Sequence, residues 1–435
     1  MSLEVRWDHA GFSSNDVLRT ANRLVPRLEE LKMVLEKRDY TNDAASILLP
    51  SEREFIKDSM SLANEYSDFW LLVVIGIGGS NLGTMAIQRA VLGKFHNIEH
   101  PERQIFYPDT VDPDSIESML QAVKKASGRV VVNAVTKSGS TTETVANLEV
   151  LLGVLSDNRQ SSVVVTTDQG SKLEKLARKK DFRVLSIPQK VGGRYSVFSN
   201  VGLFPLALMG INIEKLLGGA VEMLDRCLST TLKDNPAVII ASLIFLNRER
   251  GLSIHDHFLF SNDLEAIGRW YRQLMGESIG KEWNASGTER TFTGITPTVS
   301  IGSTDLHSMA QLYLGGPRDK LFRFVTVSKS RSSVSLPNMP EFEALVENIQ
   351  GLGFSDIMGA VVKGVQMAFV KANRPFIELI LPDKSERSVG QLLQLEMIEM
   401  MLLARLLDVN PYNQPAVENY KIETRELLKE LKSSK

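Results

Sequence analysis

The sequence predicts an α/β protein with two doubly wound domains, each built on a parallel-type sheet, and with helical N- and C-terminal arms. Its 435 residues exceed one ordinary hydrophobic core. Short apolar segments typical of buried strands alternate with segments of helical pattern, which favours parallel sheets covered by helices on both faces. Two of these strands run into loops rich in glycine or hydroxyl groups, where open parallel sheets bind ligands.

The first predicted domain covers residues 66–210 and follows a helical arm at 1–65, in which leucines recur every three or four residues. A helix is predicted from about residue 81 and another at 143–155, each directly after a loop. The strands of this domain are predicted at 71–77, 129–135, 163–166 and 183–187.

A helical connection at 211–250 leads to the second predicted domain at 251–410, and residues 411–435 form the C-terminal arm. Asn262 and Glu265 resemble a capping box for a helix at 263–280. An apolar helix at 389–407 stops before a proline. The strands of this domain are predicted at 252–260, 297–301, 321–327 and 376–381.

Charge and cysteine content exclude several classes of protein. The chain has 50 Lys and Arg against 52 Asp and Glu, a formal net charge of -2, which leaves no basic surface for a nucleic acid. Cys227 is the only cysteine, so an intrachain disulfide and a CxxC metal site are excluded. No apolar signal segment or membrane-length apolar run is visible. We therefore expect a cytoplasmic protein that binds neither nucleic acid nor membrane.

The loop at 76–83 (GIGGSNLG) is glycine-rich and opens a helix, a pattern that lets backbone N–H groups approach an anion. A dinucleotide fingerprint is the alternative. Asn81 occupies its last glycine position, and no acidic residue clearly ends a second strand at the expected distance. The loop alone is a weak signal.

The loop at 136–142 (TKSGSTT) follows the next strand with five hydroxyl groups, a glycine and a lysine. A polar cap on an ordinary helix explains it equally well in isolation. Neither loop matches the Walker sequence, so nothing requires Mg²⁺ or a nucleoside triphosphate. Together the two loops favour a phosphate monoester bound by hydroxyls and backbone amides.

Six sequence blocks extend over residues 76 to 421. Together, in this order and spacing, they resemble the glucose-6-phosphate isomerase family, which implies two sugar-isomerase (SIS) domains and a homodimer. Thr136 stands where the family usually has serine and so keeps the hydroxyl. The blocks are 76–83, 136–144, 191–196 (VGGRYS), 273–281 (QLMGESIGK), 302–307 (GSTDLH) and 414–421 (QPAVENYK).

The resemblance implies an aldose–ketose isomerase of glycolysis and gluconeogenesis that needs no metal or organic cofactor. Glucose 6-phosphate and fructose 6-phosphate would interconvert through an enediolate. Glu277 would be the base that moves the proton between C2 and C1, and Arg194 would stabilise the enediolate. His307 and Lys421 would open the sugar ring, with His307 contributed across the dimer interface. The implied substrate-binding set is Gly79, Ser80, Thr136, Lys137, Ser138, Gly139, Ser140, Thr141 and Gln273, with Lys137 acting through its backbone.

The residues alone leave other interpretations open. Glu277 shares a helix face with Gln273 but also fits a solvated helix surface. His307 also fits a structural hydrogen-bonding role. A metal pair at His255 and His257 is disfavoured. The rival functions are a sister isomerase that also accepts mannose 6-phosphate, a glucosamine-6-phosphate synthase, a non-catalytic sugar-phosphate sensor and a nicotinamide-dependent dehydrogenase. The synthase needs an N-terminal cysteine, which Cys227 cannot supply.

Overall fold

The computed structural model describes residues 2–155 and 161–434, so the outermost residues of the two predicted arms, 1 and 435, lie outside it. All eight predicted strands are present, with ends shifted by at most two residues. The strands are β1 (Glu4–Arg6), β2 (Phe69–Ile75), β3 (Gln104–Phe106), β4 (Arg129–Val135), β5 (Ser161–Thr167), β6 (Arg183–Ser186), β7 (Ile254–Leu259), β8 (Lys281–Trp283), β9 (Arg290–Thr293), β10 (Thr296–Ile301), β11 (Lys320–Val327) and β12 (Phe376–Leu381).

The first sheet is parallel and has the strand order β3-β2-β4-β5-β6. Its two central strands, β2 and β4, are almost continuously apolar because helices cover both faces of the sheet. They are direct neighbours, paired from Phe69 to Ile75. The loops that follow them therefore leave the same edge of the sheet side by side.

The second sheet has the order β1-β12-β11-β7-β10, and its four predicted strands are parallel. Strand β1 adds to its edge in the antiparallel direction. The N-terminal arm is therefore not purely helical: its first residues belong to the sheet of the other half. The short strands β8 and β9 form a separate hairpin. The domain boundaries at 66–210 and 251–410 stay predictions.

The helices cover the sheets and form the C-terminal end of the described chain. Helix α12 has Leu264 as its N-cap residue, so the predicted cap by Asn262 and Glu265 is wrong. Within the described ranges, no helix has the length and apolarity needed to span a membrane. The helices are α1 (Ser14–Asn22), α2 (Val25–Lys37), α3 (Arg53–Glu65), α4 (Leu82–Leu92), α5 (His96–Glu99), α6 (Pro113–Lys124), α7 (Thr142–Leu155), α8 (Lys172–Lys179), α9 (Asn200–Leu208), α10 (Ile213–Cys227), α11 (Pro236–Glu249), α12 (Glu265–Ile279), α13 (Thr304–Ser308), α14 (Ala310–Gly315), α15 (Phe354–Lys371), α16 (Glu386–Leu406) and α17 (Val417–Ser433).

Helix α16 is the buried centre of the helical layer and packs against α10, α11 and α12. Its crossing with α10 depends on two glycines. A Cβ atom at Gly219 would lie 2.0 Å from the carbonyl oxygen of Arg387, and one at Gly390 would lie 2.0 Å from that of Leu216. The two helix backbones are thus in direct contact, and any side chain at either glycine would separate them.

We expect Gly219→Ala to destabilise the protein by about 1–3 kcal/mol, because its methyl group has to displace the backbone of α16. The matched control is Gly218→Ala on the same helix, where a Cβ meets nothing within 4 Å. That variant should gain about 0.5–1 kcal/mol from helix propensity. Thermal unfolding of both variants measures the difference. Equal unfolding midpoints would show that the helices are not in contact at Gly219.

Candidate active site

The glycine loop after β2 is closed by its own side chains. Asn81 Nδ2 donates a hydrogen bond to the carbonyl oxygen of Gly76 over 2.6 Å. Gly78 has a φ of 59°, in the left-handed region that glycine tolerates best. A Cβ atom at Gly79 would lie 2.2 Å from the carbonyl carbon of Gly193. Glycine at position 79 therefore lets this loop touch the segment that carries Arg194.

The hydroxyl loop after β4 has a buried base and an exposed rim. Thr136 is buried, and its Oγ1 lies 2.8 Å from Thr141 Oγ1. Ser138 and Ser140 are exposed, with their hydroxyl oxygens 3.3 Å apart. Gly139 has a φ of 66°. The chain then enters α7, whose N-terminus adds the positive end of a helix dipole. The loop thus presents hydroxyls and backbone N–H groups that suit a phosphate.

Lys137 turns its side chain away from the rim of this loop. Its Nζ donates to the carbonyl oxygen of Val191 over 2.9 Å and also to that of Gln189. Burial lowers the pKa of Lys137, while the carboxylate of Asp168 opposes the shift. Lys137 therefore ties the hydroxyl loop to the segment before Arg194, and only its backbone remains for a ligand.

Arg194 is the centre of the site. It lies in the turn Gly193–Tyr195, and 1% of its side chain is exposed. Its Nε donates to Ser278 Oγ over 2.9 Å. Its Nη1 lies 3.1 Å from Glu277 Oε2 and 2.9 Å from Gln414 Oε1. Its Nη2 donates to the carbonyl oxygens of residues 411 and 413, the latter at 3.3 Å. One guanidinium therefore joins α12 to the segment before α17.

Glu277 lies in the last turns of α12 and keeps 31% of its side chain exposed. Gln273, one turn earlier on the same face, donates from Nε2 to Glu277 Oε1 over 3.0 Å. With Arg194 on its other oxygen, the carboxylate is held at both ends. The structure therefore brings Gln273, Glu277 and Arg194 together.

His307 and Lys421 lie elsewhere in the chain. His307 is exposed on the short helix α13. Lys421 lies on α17 and forms an ion pair with Glu418 at 2.7 Å. Within residues 2–155 and 161–434, no hydrogen bond or ion pair joins either residue to Glu277 or Arg194. A single chain thus assembles the carboxylate, the arginine and the glycine loop but not the predicted ring-opening pair.

Three residues of the site escaped the sequence analysis, although all lie inside the blocks that it singled out. Ser278 accepts from Arg194 and lies 3.0 Å from the hydroxyl of Tyr195. Gln414 also accepts a hydrogen bond from Arg194, and Lys281 Nζ donates one to the carbonyl oxygen of Glu277. Their membership of the blocks 273–281 and 414–421 was the available signal.

The described ranges hold no group of three or more His, Cys, Asp or Glu side chains arranged to bind a metal ion. His255 and His257 are buried on β7, and their rings lie against Tyr271, at centroid distances of 5.8 and 4.5 Å. Burial lowers the pKa of both histidines well below its ordinary value. They are therefore neutral residues of the hydrophobic core.

The sequence matches a known protein family over most of its length. The phosphoglucose isomerase family model matches residues 65–435. Glucose-6-phosphate isomerase of Carboxydothermus hydrogenoformans is 36% identical over 392 residues, which cover 87% of this chain and 83% of that protein. The enzyme of the same name from Methanocaldococcus jannaschii is 34% identical over 351 residues, covering 80% of this chain and 82% of that protein.

Two solved structures have the same fold over nearly the whole chain. A hypothetical protein of Thermus thermophilus is 31% identical, with a TM-score of 0.86 and coverage of 98% of this chain and 99% of that one. A glucose-6-phosphate isomerase of Chlamydia trachomatis is 20% identical, with a TM-score of 0.85 and coverage of 99% and 89%. At that identity the second likeness shows the fold alone.

Asp168, next to the hydroxyl loop, predicts a pH dependence of stability. Burial raises its pKa to about 6, despite the nearby cation of Lys137. Among the described residues, its Oδ1 has no hydrogen-bond partner. Because the folded-state pKa is raised, the folded protein loses stability as pH rises from about 4 through 6.

Asp168→Asn removes this titration. We expect its urea midpoint, relative to that of the wild type, to rise between pH 4.5 and pH 7. Comparing the two proteins at each pH cancels the titration of all other groups. A difference in midpoint that is the same at both pH values would mean that Asp168 ionises in the folded protein as freely as in the unfolded one.

Proposed function

The chain belongs to the phosphoglucose isomerase family, and we propose that Glu277 is the base with which it isomerises its substrate. The enzyme interconverts glucose 6-phosphate and fructose 6-phosphate, a step of glycolysis and gluconeogenesis. The cytoplasm is the inferred compartment. The observation that carries the assignment of the base is a partly exposed carboxylate held between Gln273 at 3.0 Å and Arg194 at 3.1 Å.

The reaction needs one proton to move between neighbouring carbons. In the open-chain aldose, the Glu277 carboxylate removes the proton from C2, and the electron pair forms the C1–C2 double bond of an enediolate. The same carboxyl group returns the proton to C1, while the hydroxyl proton of O2 passes to O1 and the C2 oxygen becomes the carbonyl oxygen of the ketose. One carboxyl group can reach both C1 and C2 because these carbons are bonded to each other. It has to be held firmly to do so.

Arg194 stabilises the charge that develops on the enediolate. Its guanidinium is already fixed by five acceptors, so it needs little reorganisation when the negative charge appears. Its contact with Glu277 brings base and cation to the same place. Gln273 is assigned to a sugar hydroxyl, and it remains beside Glu277 when its amide turns toward the ligand.

The phosphate binds to the hydroxyl loop and the glycine loop. Ser138 and Thr141 supply hydroxyl donors, together with Ser80 and Thr136, and the backbone N–H groups from Lys137 to Ser140 and at Gly79 add to them. Charge-assisted hydrogen bonds of this kind are roughly twice as strong as neutral ones. Because the glycine loop touches the turn that carries Arg194, a phosphate bound there would set the sugar carbons against Glu277.

His307 and Lys421 are assigned to ring opening, with His307 supplied by the other subunit of a homodimer. An exposed apolar face of α17 supports the dimer, because four apolar or aromatic side chains on one side of this helix are 46–59% exposed. Packing α17 on a second copy would bury this face and carry Lys421 with it. The side chains are Tyr420, Leu427, Leu428 and Leu431.

Glu277→Gln tests the base. The amide keeps the shape and, through its oxygen, the bond from Arg194, but it accepts no proton, so turnover should fall roughly 10²–10⁴-fold. Exchange of a C2 deuteron with solvent should fall equally, while a sugar-acid phosphate that mimics the enediolate still binds. Glu282→Gln, at an exposed position five residues later, is the matched control and should keep full activity. Near-normal turnover by Glu277→Gln would mean that another residue is the base.

The origin of His307 is tested by mixing two inactive variants, Glu277→Gln and His307→Ala. If each site takes Glu277 from one chain and His307 from the other, a mixed dimer contains one intact site and one with both defects. Unfolding and refolding the variants together should then restore about a quarter of the wild-type activity, since about half of the dimers are mixed. Mixed dimers without activity would place both residues in the same chain.

A further inference from the structure

Lys281 occupies a position that the proposed mechanism leaves unused. It follows the end of α12 as the first residue of β8, and its side chain is buried. Its Nζ donates to the carbonyl oxygen of Glu277 over 2.5 Å and to that of Asn413 over 2.5 Å. One ammonium group therefore links the residue assigned as the base to a segment that lies 132 residues after Lys281 in the chain.

The segment at 411–414 is held by two buried cations at once. Arg194 donates to the carbonyl oxygen of Asn413 at 3.3 Å, to that of Pro411 and to the side chain of Gln414. Lys281, at the start of β8, donates to the same carbonyl oxygen of Asn413. Three residues after Gln414 the chain enters α17, which carries Lys421. The start of that helix is thus fixed where these cations hold the segment.

A simpler interpretation is that Lys281 caps the C-terminal end of α12. Lysine often binds the last free carbonyl groups of a helix and favours the negative end of its dipole. That role explains the contact with Glu277 but not the equally short contact with Asn413. The second contact orders a loop rather than a helix end, so capping explains only one of the two hydrogen bonds.

We propose that Lys281 is a positioning residue, which clamps the 411–414 segment to the end of α12 and so sets the place of Lys421 relative to Glu277. This inference rests on the proposed roles of Glu277 and Lys421. The contacts of Lys281 are to backbone carbonyls and not to the phosphate loops. Its loss should therefore lower kcat and leave KM nearly unchanged.

The charge of Lys281 makes the clamp sensitive to pH. Burial lowers its pKa to about 8, the guanidinium of Arg194 lowers it as well, and the carboxylate of Glu277 opposes them. These are the charged groups that face it from α12 and from the turn at 193–195, while Asn413 presents a neutral carbonyl. Above pH 8 the amine loses its charge and the clamp weakens.

The first test measures the clamp without substrate. Lys281→Met keeps the apolar stem and removes the donor, whereas Lys281→Arg keeps charge and donors. Amide hydrogen exchange over residues 412–424 should be roughly tenfold faster in Lys281→Met, because a charge-assisted bond is lost. It should stay close to the wild type in Lys281→Arg. The wild type itself should show the same loosening between pH 7 and pH 9, after correction for intrinsic exchange, which keeps the test open if Lys281→Met folds poorly.

The second test measures turnover. We expect kcat to fall roughly 10- to 100-fold in Lys281→Met, since a small displacement of reacting groups has an effect of this size. Lys281→Arg should recover most of the loss. The decline of kcat above pH 8 should move to higher pH in Lys281→Arg, which a merely structural role would not do.

Two results would overturn the clamp even if Glu277→Gln is inactive. One is exchange at 412–424 that is as slow in Lys281→Met as in the wild type. The other is exchange in the wild type that stays the same between pH 7 and pH 9. An equal fall in kcat for Lys281→Met and Lys281→Arg, with exchange unchanged in both, would also overturn it. Activity of Glu277→Gln would instead overturn the assignment of the base and leave the exchange result standing. The two proposals can therefore fail separately.

Discussion

The geometry of the site depends on one buried charge, the guanidinium of Arg194. A buried cation is tolerated only when its donors are satisfied, and removal of a partner leaves an uncompensated charge. The acceptors of Arg194 come from α12 and from the segment before α17, between 83 and 220 residues away in sequence. These parts of the chain are thus held in one arrangement by a single side chain. The carboxylate of Glu277 is one of the acceptors, so its position follows from the same requirement.

The close contact between the glycine loop after β2 and the turn at 193–195 accompanies this arrangement. The turn that carries Arg194 lies directly on the loop after β2 while the side chain of Arg194 reaches α12. Gly79 and Gly193 permit that contact, since a Cβ atom at Gly79 would overlap the backbone of the neighbouring turn. The glycines that predicted an anion-binding loop therefore also allow two backbone segments to touch. A dinucleotide fingerprint would not require this second role.

Sequence patterns predicted the strands well because buried parallel strands are long, apolar runs such as β4. They missed β1, β3, β8 and β9, which have only three or four residues each and are ordered by the strands they pair with. The cap at Asn262 was wrong because a turn of 3₁₀ helix precedes α12 and moves the cap to Leu264. The pairing of Gln273 with Glu277 could be predicted, since it follows from helix periodicity. The partners of Arg194 could not, because no local pattern encodes contacts across such distances.

A second anchor, deeper in the molecule, keeps α12 in place. The hydroxyl of Tyr271 donates to Glu399 Oε1 over 2.9 Å, and Arg323 Nη2 donates to the same oxygen over 2.6 Å. Burial, together with the charge of Glu399, raises the pKa of Glu396 well above its ordinary value, and Arg323 forms ion pairs with both carboxyl groups in one cluster. Tyr271 and Ser278 lie two turns apart on α12, one bound to this cluster and the other to Arg194. A helix fixed at two points along its axis can neither slide nor rotate freely, and Glu277 lies beside the second point. This rigidity fits the role proposed for Glu277, because the oxygen of a base that serves two adjacent carbons has to stay within reach of both.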